Sequence, residues 1–314
     1  MAIIDLGLDV PFTVAEVVDV LKTFFGRSEK RGLANYSRIF GPRWLSALGL
    51  SEEDVRKMQN DLSPDEFEQK LQMAAQYFAV SQEKFMAEMD KANLEWGLII
   101  SPDNQKTANF ISLAPERLKG LASVDLSEGV VVAVNSLEQA VQDLGMVACH
   151  LTAFRDGIPV NNARYYPIYA KAVALKIPVF VYTAMNYRND LPMDVAHPRY
   201  LDQIAVDFPE LKLVAAYGGW PWVPDLVGIA RRHPNLFINI RANRPKYLAQ
   251  PGSGWEMLLQ FGNTLIQDQI VFASGAGELG VPVHTLIEEV ENLPLKESVK
   301  EKWLYKNAQR LFES

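Results

Sequence analysis

Cysteine is nearly absent: the chain of 314 residues holds only Cys149. No internal disulfide can form, so burial must hold the fold, which fits a reducing compartment. A basic excess is absent as well. Thirty-eight Asp and Glu against 31 Lys and Arg leave a formal charge of −7. Nucleic acid requires a basic face and is not an expected partner. No apolar run reaches the roughly 18 residues that span a bilayer. The opening stretch MAIIDLGLDVPF has neither the basic region nor the long apolar region of a secretory signal. No membrane partner is expected, and the expected location is cytoplasmic. Gly/Ser or Pro-rich linkers, repeats of 20–50 residues and low-complexity tracts are also missing.

What remains is an ordinary globular composition, 48% hydrophobic and 22% charged, in a chain long enough to bury a large core. Near-continuous apolar runs predict strands at 3–8, 96–100, 118–126, 146–151, 177–182, 211–216, 235–240 and 269–273. Runs of this kind suit parallel strands covered on both faces. Amphipathic stretches between them predict helices at 165–176, 199–207, 223–232 and 281–292, with a last helix over 296–311. Ser63-Pro64-Asp65-Glu66 is a capping box with proline at the first helical position, and it predicts a long helix toward Ala92. Alternation of eight strands with helices predicts an α/β chain folded as one (β/α)8 TIM barrel over 1–314, with a helical insertion at 13–93 after strand one. A doubly wound sheet is the other architecture considered. It would want a Gly-rich phosphate turn after strand one, and Leu6 to Pro11 is not one.

Barrel chemistry sits at the C-terminal ends of strands. The residues there are Gly7 and Asp9, Ser101 and Asp103, His150 and Thr152, Tyr182 and Thr183, Tyr217, Arg241, and Ser274 with Gly275. His150 is a candidate general acid/base or a core histidine satisfied by a neighbour. Asp9 is a candidate base, or an anchor for Arg241 or His150. Tyr182 and Tyr217 could donate hydrogen bonds to a carboxylate or an oxyanion, or simply fill volume. Arg241 is the candidate for binding a small carboxylate, because its fork matches one; the alternative is a salt bridge. Ser274 is a candidate ligand contact without a histidine partner. His197, His233 and His284 lie off the strand ends and read as structural. The loop 155–167 could act as a lid. Trp220 and Trp222 could stack on a ligand or pack at an interface.

Several stretches carry a resemblance. FMAEMDKANLEW (84–95), PERLKGLASVDL (115–126), LEQAVQDLGMVACHL (137–151) and RYYPIYAKAVALKIPVFVYT (164–183) follow one another in the required order. HPRYLDQIAVDFPELKLVAAYGGWPW (197–222), RRHPNLFINI (231–240) and the end from QIVFASGAG to NAQRLF complete the series. Together they resemble the amidohydrolase-related barrels that include aminocarboxymuconate-semialdehyde decarboxylase. The resemblance implies a TIM barrel and hydrolase or decarboxylase chemistry at a metal. The family's two strand-one histidines correspond to Gly7 and Asp9, its strand-five ligand histidine to Tyr182, its histidine before Gly-Gly to Tyr217, and its strand-eight aspartate to Gly275. Only Asp9 is a reasonable metal donor among these. The expectation is therefore no metal at that place and no cofactor. Three functions fit. The first is a non-catalytic structural or regulatory subunit, in a homodimer or beside a paralogue. The second is a metal-independent hydrolase or decarboxylase for a small carboxylic acid or lactone. The third is a metalloenzyme with relocated ligands such as Asp9, His150 and Asp103.

Overall fold

A computed structural model describes residues 1–25, 35, 38–39 and 51–313. Eight strands form a single sheet in sequence order. They are β1 (Ile3–Asp9), β2 (Leu94–Ile100), β3 (Leu118–Val124), β4 (Met146–Leu151), β5 (Val179–Tyr182), β6 (Leu213–Ala216), β7 (Leu236–Asn239) and β8 (Ile270–Val271). Every adjacent pair is parallel. The ends of the sheet meet through Leu6 N–H to Phe272 O at 3.0 Å and Gly275 N–H to Gly7 O at 3.1 Å. Asp5 adds a side-chain stitch to this seam, its Oδ1 accepting from Ser274 N–H at 2.8 Å and Gly7 N–H at 2.9 Å. The chain is thus a (β/α)8 TIM barrel, with β-branched runs forming strands because both faces are covered.

The barrel interior is apolar up to the strand ends. Ile4, Leu6, Trp96, Leu98, Leu121, Ala148, Phe180, Val214, Phe237, Val271 and Ala273 pack together with Ala308 and Leu311 of the last helix, Asn307–Phe312. Phe312 meets Trp96 edge-on at 5.3 Å, so the C-terminal helix fills the end of the barrel where the strands begin. Polar chemistry is left to the other end.

In β1, Asp5 pairs with Gly97 but Leu8 pairs with Ile99, so β1 spends one residue more than β2 over this interval. A strand alternates faces at every residue, and one extra residue reverses the alternation. Ile4 and Leu6 face the core; without the irregularity Asp9 would face away from it. With it, Asp9 comes level with Ile100, which packs against the same core.

The chain divides into two compact units. The barrel unit is Met1–Val10, Glu88–Met185 and Asp194–Ser314; the other is Pro11–Ala87 with Asn186–Met193. In the second unit, helix Val14–Phe25 packs on helix Pro64–Phe78 through Val17, Val18, Leu71 and Ala75. The Ser63 capping box is formed. The predicted long helix toward Ala92 is two helices, however. The first stops at Phe78, where Ala79 is extended, and the second spans Gln82–Lys91. Ser81 explains the restart, because its hydroxyl accepts from Lys84 N–H as an N-cap does. Strands β5 to β8 are each shorter than their apolar runs, since residues such as Ile177, Leu211, Phe272 and Ala273 are buried flanks outside the ladders. Among the described residues, no helix is long and apolar enough to cross a membrane.

Candidate functional site

Arg241 follows β7 and is buried, its side chain 8% exposed. Its Nη2 donates to both oxygens of Asp9, at 2.7 and 2.8 Å, and to Glu278 Oε1 at 2.6 Å. Its Nε donates to the Tyr217 hydroxyl at 3.0 Å and to Glu278 Oε1 at 2.9 Å. Tyr217 in turn donates to Glu278 Oε1 at 2.8 Å. Four residues from the ends of β1, β6, β7 and the short helix Ala276–Leu279 after β8 are therefore joined through one guanidinium. The carboxylate expected to bind Arg241 from outside is supplied from within, by Asp9 and Glu278. The salt bridge, and Asp9 as anchor for Arg241, were the alternatives given for these residues, and the structure forms both contacts.

The backbone around this cluster is unusual. Tyr217 has φ +69°, and Gly218 and Gly219 follow with φ +68° and +78°. A side chain at 218 would strike the Trp255 ring, at 2.5 Å from its Cβ, which is why glycine follows Tyr217. Ala242, directly after Arg241, has φ +57°. A non-glycine residue in the left-handed region costs about 1–2 kcal/mol, and such residues concentrate at functional sites. Asn239 holds both turns. Its buried Oδ1 accepts from Tyr217 N–H at 3.0 Å and Arg241 N–H at 3.2 Å.

Burial pushes the Asp9 carboxyl up to about 6; Arg241 opposes the shift and Glu278 adds to it. Asp5, fully buried, is also raised by desolvation, and its Oδ2 has no hydrogen-bond partner. Burial raises the Tyr217 phenol far above its ordinary value, so it remains a donor. His150 is pushed down to about 3, chiefly by burial and then by Arg241 and Arg155. It is therefore neutral at working pH. Its Nδ1 lies 3.4 Å from Thr152 Oγ1, and no bond joins it to Asp9 or Arg241 among those described.

The remaining candidates are placed as follows. Tyr182 donates to Met185 O at 2.9 Å, and its ring packs on Tyr217 at 4.5 Å and on Phe154 at 4.8 Å. It contributes volume and orientation, with its hydroxyl committed to the backbone. Ser274 is buried against Asp5, and its Oγ accepts from Ala276 N–H at 3.3 Å. Asp103 caps helix Asn104–Ile111 through Gln105 and Lys106 N–H at 2.8 and 3.1 Å. That removes it from a relocated metal set. His197 stacks on Trp222 at 4.5 Å, and His233 pairs with Asp202 at 2.8 Å; both are structural. Trp220 donates to Ser253 O at 3.1 Å. Glu278 and Asn239 were not singled out from the sequence.

The sequence model of the amidohydrolase family matches residues 43–313. The chain belongs to the amidohydrolase family. Among solved structures, an uncharacterised TIM-barrel protein of Bordetella bronchiseptica superposes with TM-score 0.71 at 22% identity, covering 99% of this chain and 98% of that one. The 5-carboxyvanillate decarboxylase of Novosphingobium aromaticivorans, complexed with manganese and 4-hydroxy-3-methoxy-5-nitrobenzoic acid, superposes with TM-score 0.65 at 14% identity, covering 99% and 96%. These likenesses establish a shared fold. A 2-keto-4-carboxy-3-hexenedioate hydratase of Sphingobium sp. is 25% identical over 133 residues, 37% of this chain. The match spans about two-fifths (39%) of the hydratase's length.

A divalent metal such as the manganese in that decarboxylase needs three or more donors in fixed geometry. Here the donor set does not fit. Gly7 and Gly275 offer no side chain, both Asp9 oxygens are on Arg241, and the Tyr182 and Tyr217 hydroxyls are protonated and engaged. Among the described residues, no three His, Cys, Asp or Glu side chains are grouped to hold a metal ion.

Proposed function

We propose that this amidohydrolase is a metal-independent enzyme that hydrolyses a neutral ester bond of a small lactone or ester, with Asp9 as general base. The observation that carries the reading is the joining of Asp9, Tyr217, Arg241 and Glu278 at the strand ends. Buried ionic groups cost stability relative to apolar ones of the same volume. A chain that needed only to fill a vacated metal site would do so more stably with apolar side chains. Two left-handed non-glycine residues beside the cluster add to that cost.

Asp9 takes a proton from the attacking water. A carboxyl near 6 is ionised at neutral pH yet basic enough for the transfer. As the carbonyl carbon becomes tetrahedral, negative charge develops on its oxygen. Arg241 stabilises it, with Nη1 outside the bonds described, and the Tyr217 hydroxyl exchanges its bond to Glu278 for one to that oxygen. Asp9 then returns the proton to the leaving alkoxide, and the products are an acid and an alcohol. Glu278 holds the arginine in place. A neutral substrate fits better than a carboxylate, because a further full anion would lie beside Asp9 and Glu278, two carboxylates that already share one guanidinium.

The test is hydrolysis of a panel of lactones and aryl esters before and after exhaustive chelation. Chelation-resistant turnover that Asp9→Asn abolishes is expected. Turnover lost on chelation and restored by a divalent metal would refute the reading.

The packing of Tyr182 on Tyr217, with hydroxyls committed to Met185 and Glu278, favours a second reading. In it the barrel end is closed, and the chain serves as a structural or regulatory subunit, in a homodimer or beside a paralogue. Absence of turnover on the whole panel, together with co-purification of a paralogue bearing intact metal ligands, would favour it.

A further inference from the structure

The metal-independent reading invites the question of what takes the metal's place. Two features bear on it, one electrostatic and one steric. Arg241 brings a fixed positive charge into contact with Asp9, which by the resemblance stands at a family ligand position, and with Tyr217, which stands where the family's catalytic histidine does. Backbone occupies the space of two further ligands. A Cβ at Gly275 would lie 2.5 Å from Ala242 N and 2.9 Å from Ala242 Cα, so the turn after Arg241 fills the place of the strand-eight side chain. A Cβ at Gly7 would lie 2.9 Å from Ala273 Cβ and 3.1 Å from Ala273 backbone. The losses at 7 and 275 are thus coupled to the path of the chain that delivers the arginine. They are more than missing donors.

We infer that the guanidinium of Arg241 is the resident cation of this centre, built into the chain in place of a divalent ion. Asp9, Glu278 and Tyr217 form a socket selective for a planar guanidinium, and the backbone at Ala242 and Ala273 closes the space a metal's other ligands would need. The match is one of geometry. Nη2 reaches both Asp9 oxygens and Glu278 Oε1, while Nε, a second nitrogen in the same plane, reaches Glu278 Oε1 and the Tyr217 hydroxyl; the second pair of contacts is what a planar guanidinium adds to a point charge. The inference rests on the metal-independent reading, but its test does not use turnover.

Arg241→Ala in the full chain removes the cation and leaves the socket. Guanidinium chloride at about 20 mM should raise the thermal midpoint of this variant by about 2 °C, the shift expected at roughly ten times the dissociation constant. Sodium chloride at equal ionic strength should not. Neither wild type nor the double variant Asp9→Ala/Arg241→Ala should respond to guanidinium. Wild type titrated with Mn2+ and followed by electron paramagnetic resonance should leave the ion free. A folded Arg241→Ala that ignores guanidinium overturns the inference, and so does one equivalent of Mn2+ taken up by wild type. Should Arg241→Ala fail to fold, the Mn2+ titration decides: a free ion supports the inference and a bound one overturns it. Failure to hydrolyse any ester would leave the guanidinium result standing, and a negative guanidinium result would leave the Asp9 assay standing.

Discussion

Replacing Gly275 with alanine tests whether the backbone at Ala242 closes the space beside the end of β8. Gly275 has φ +58°, and its ideal Cβ would sit 2.5 Å from Ala242 N, 2.9 Å from Ala242 Cα and 3.1 Å from Ala242 Cβ. Two costs add. The left-handed backbone disfavours an L side chain by about 1–2 kcal/mol. Overlap with backbone, which cannot rotate away as a side chain can, costs about 1–3 kcal/mol. The sum is about 2–5 kcal/mol. Unfolding a chain of 314 residues releases about 0.65 kcal/mol per kelvin, at roughly 2.1 cal/mol/K per residue. Gly275→Ala should therefore lower the thermal midpoint by about 3–8 °C. Gly277→Ala is the control. Its Cβ would meet only Asp9 Oδ2, at 3.4 Å, and alanine favours the helix Ala276–Leu279 by up to about 1 kcal/mol over glycine. Circular dichroism melts of both variants and wild type give the comparison. A Gly275→Ala protein melting within 1 °C of wild type would show that Ala242 yields freely, and the steric argument would fail.

Other outcomes follow from the same contacts. Asp5 is held above its ordinary carboxylate range by burial, so it favours the folded state at low pH, and that contribution drains away as pH rises. Asp5→Asn keeps the Oδ1 acceptor and should flatten the fall in melting temperature as pH rises above the ordinary carboxylate range; Asp5→Ala orphans two N–H groups at the barrel seam and should cost about 2–4 kcal/mol in chemical denaturation. Tyr217→Phe should cost only about 1 kcal/mol, because Arg241 Nε keeps Glu278 as acceptor, yet should lower kcat about 100-fold in the ester assay. Asp9 must be ionised to act as base, so kcat/KM should rise with pH through about 6, and a profile flat from pH 5 to 7 would count against its role. The triple variant Asp9→Leu/Arg241→Met/Glu278→Leu should melt at or above the wild-type temperature and be inactive; a fall of several degrees would mean that the cluster holds the fold together.

Much of the barrel was readable because buried parallel strands write themselves as apolar runs. Each of the eight runs overlaps a strand. The identity of the strand-end residues followed, including Asp9, Tyr217 and Arg241. What joins them did not. The side on which Asp9 emerges depends on a register irregularity between Asp5 and Leu8, which strict alternation cannot reveal. Glu278 lies in a four-residue helix bracketed by Gly275 and Gly280, both with positive φ. A glycine-bracketed turn just after a barrel strand is a usable signal, although it lies beyond the strand end itself. Asn239 was visible too, as the one amide inside the run LFIN, and its buried bonds to both neighbouring turns explain that placement. Asp9 as anchor for Arg241 stayed one alternative among several, and Glu278 was not named, because sequence spacing carries no information about carboxylates 232 and 37 residues away.

The energetic character of the cluster bears on whether this barrel is an enzyme or a scaffold. Two carboxylates share one guanidinium whose side chain is 8% exposed, while their own are 30% and 37% exposed. The carboxylates retain some water, so their desolvation is partial; the arginine's is nearly complete. The cluster is thus ordered by its cation, with the acidic groups turned toward the side that solvent or a ligand can reach. A scaffold plug has no use for that asymmetry, since apolar side chains would pack the same volume at lower cost. A hydrolytic centre does: it needs a fixed positive charge that water cannot neutralise and a base that an entering water can touch. The direction of burial, guanidinium inward and carboxylates outward, is the feature on which the proposed hydrolysis rests.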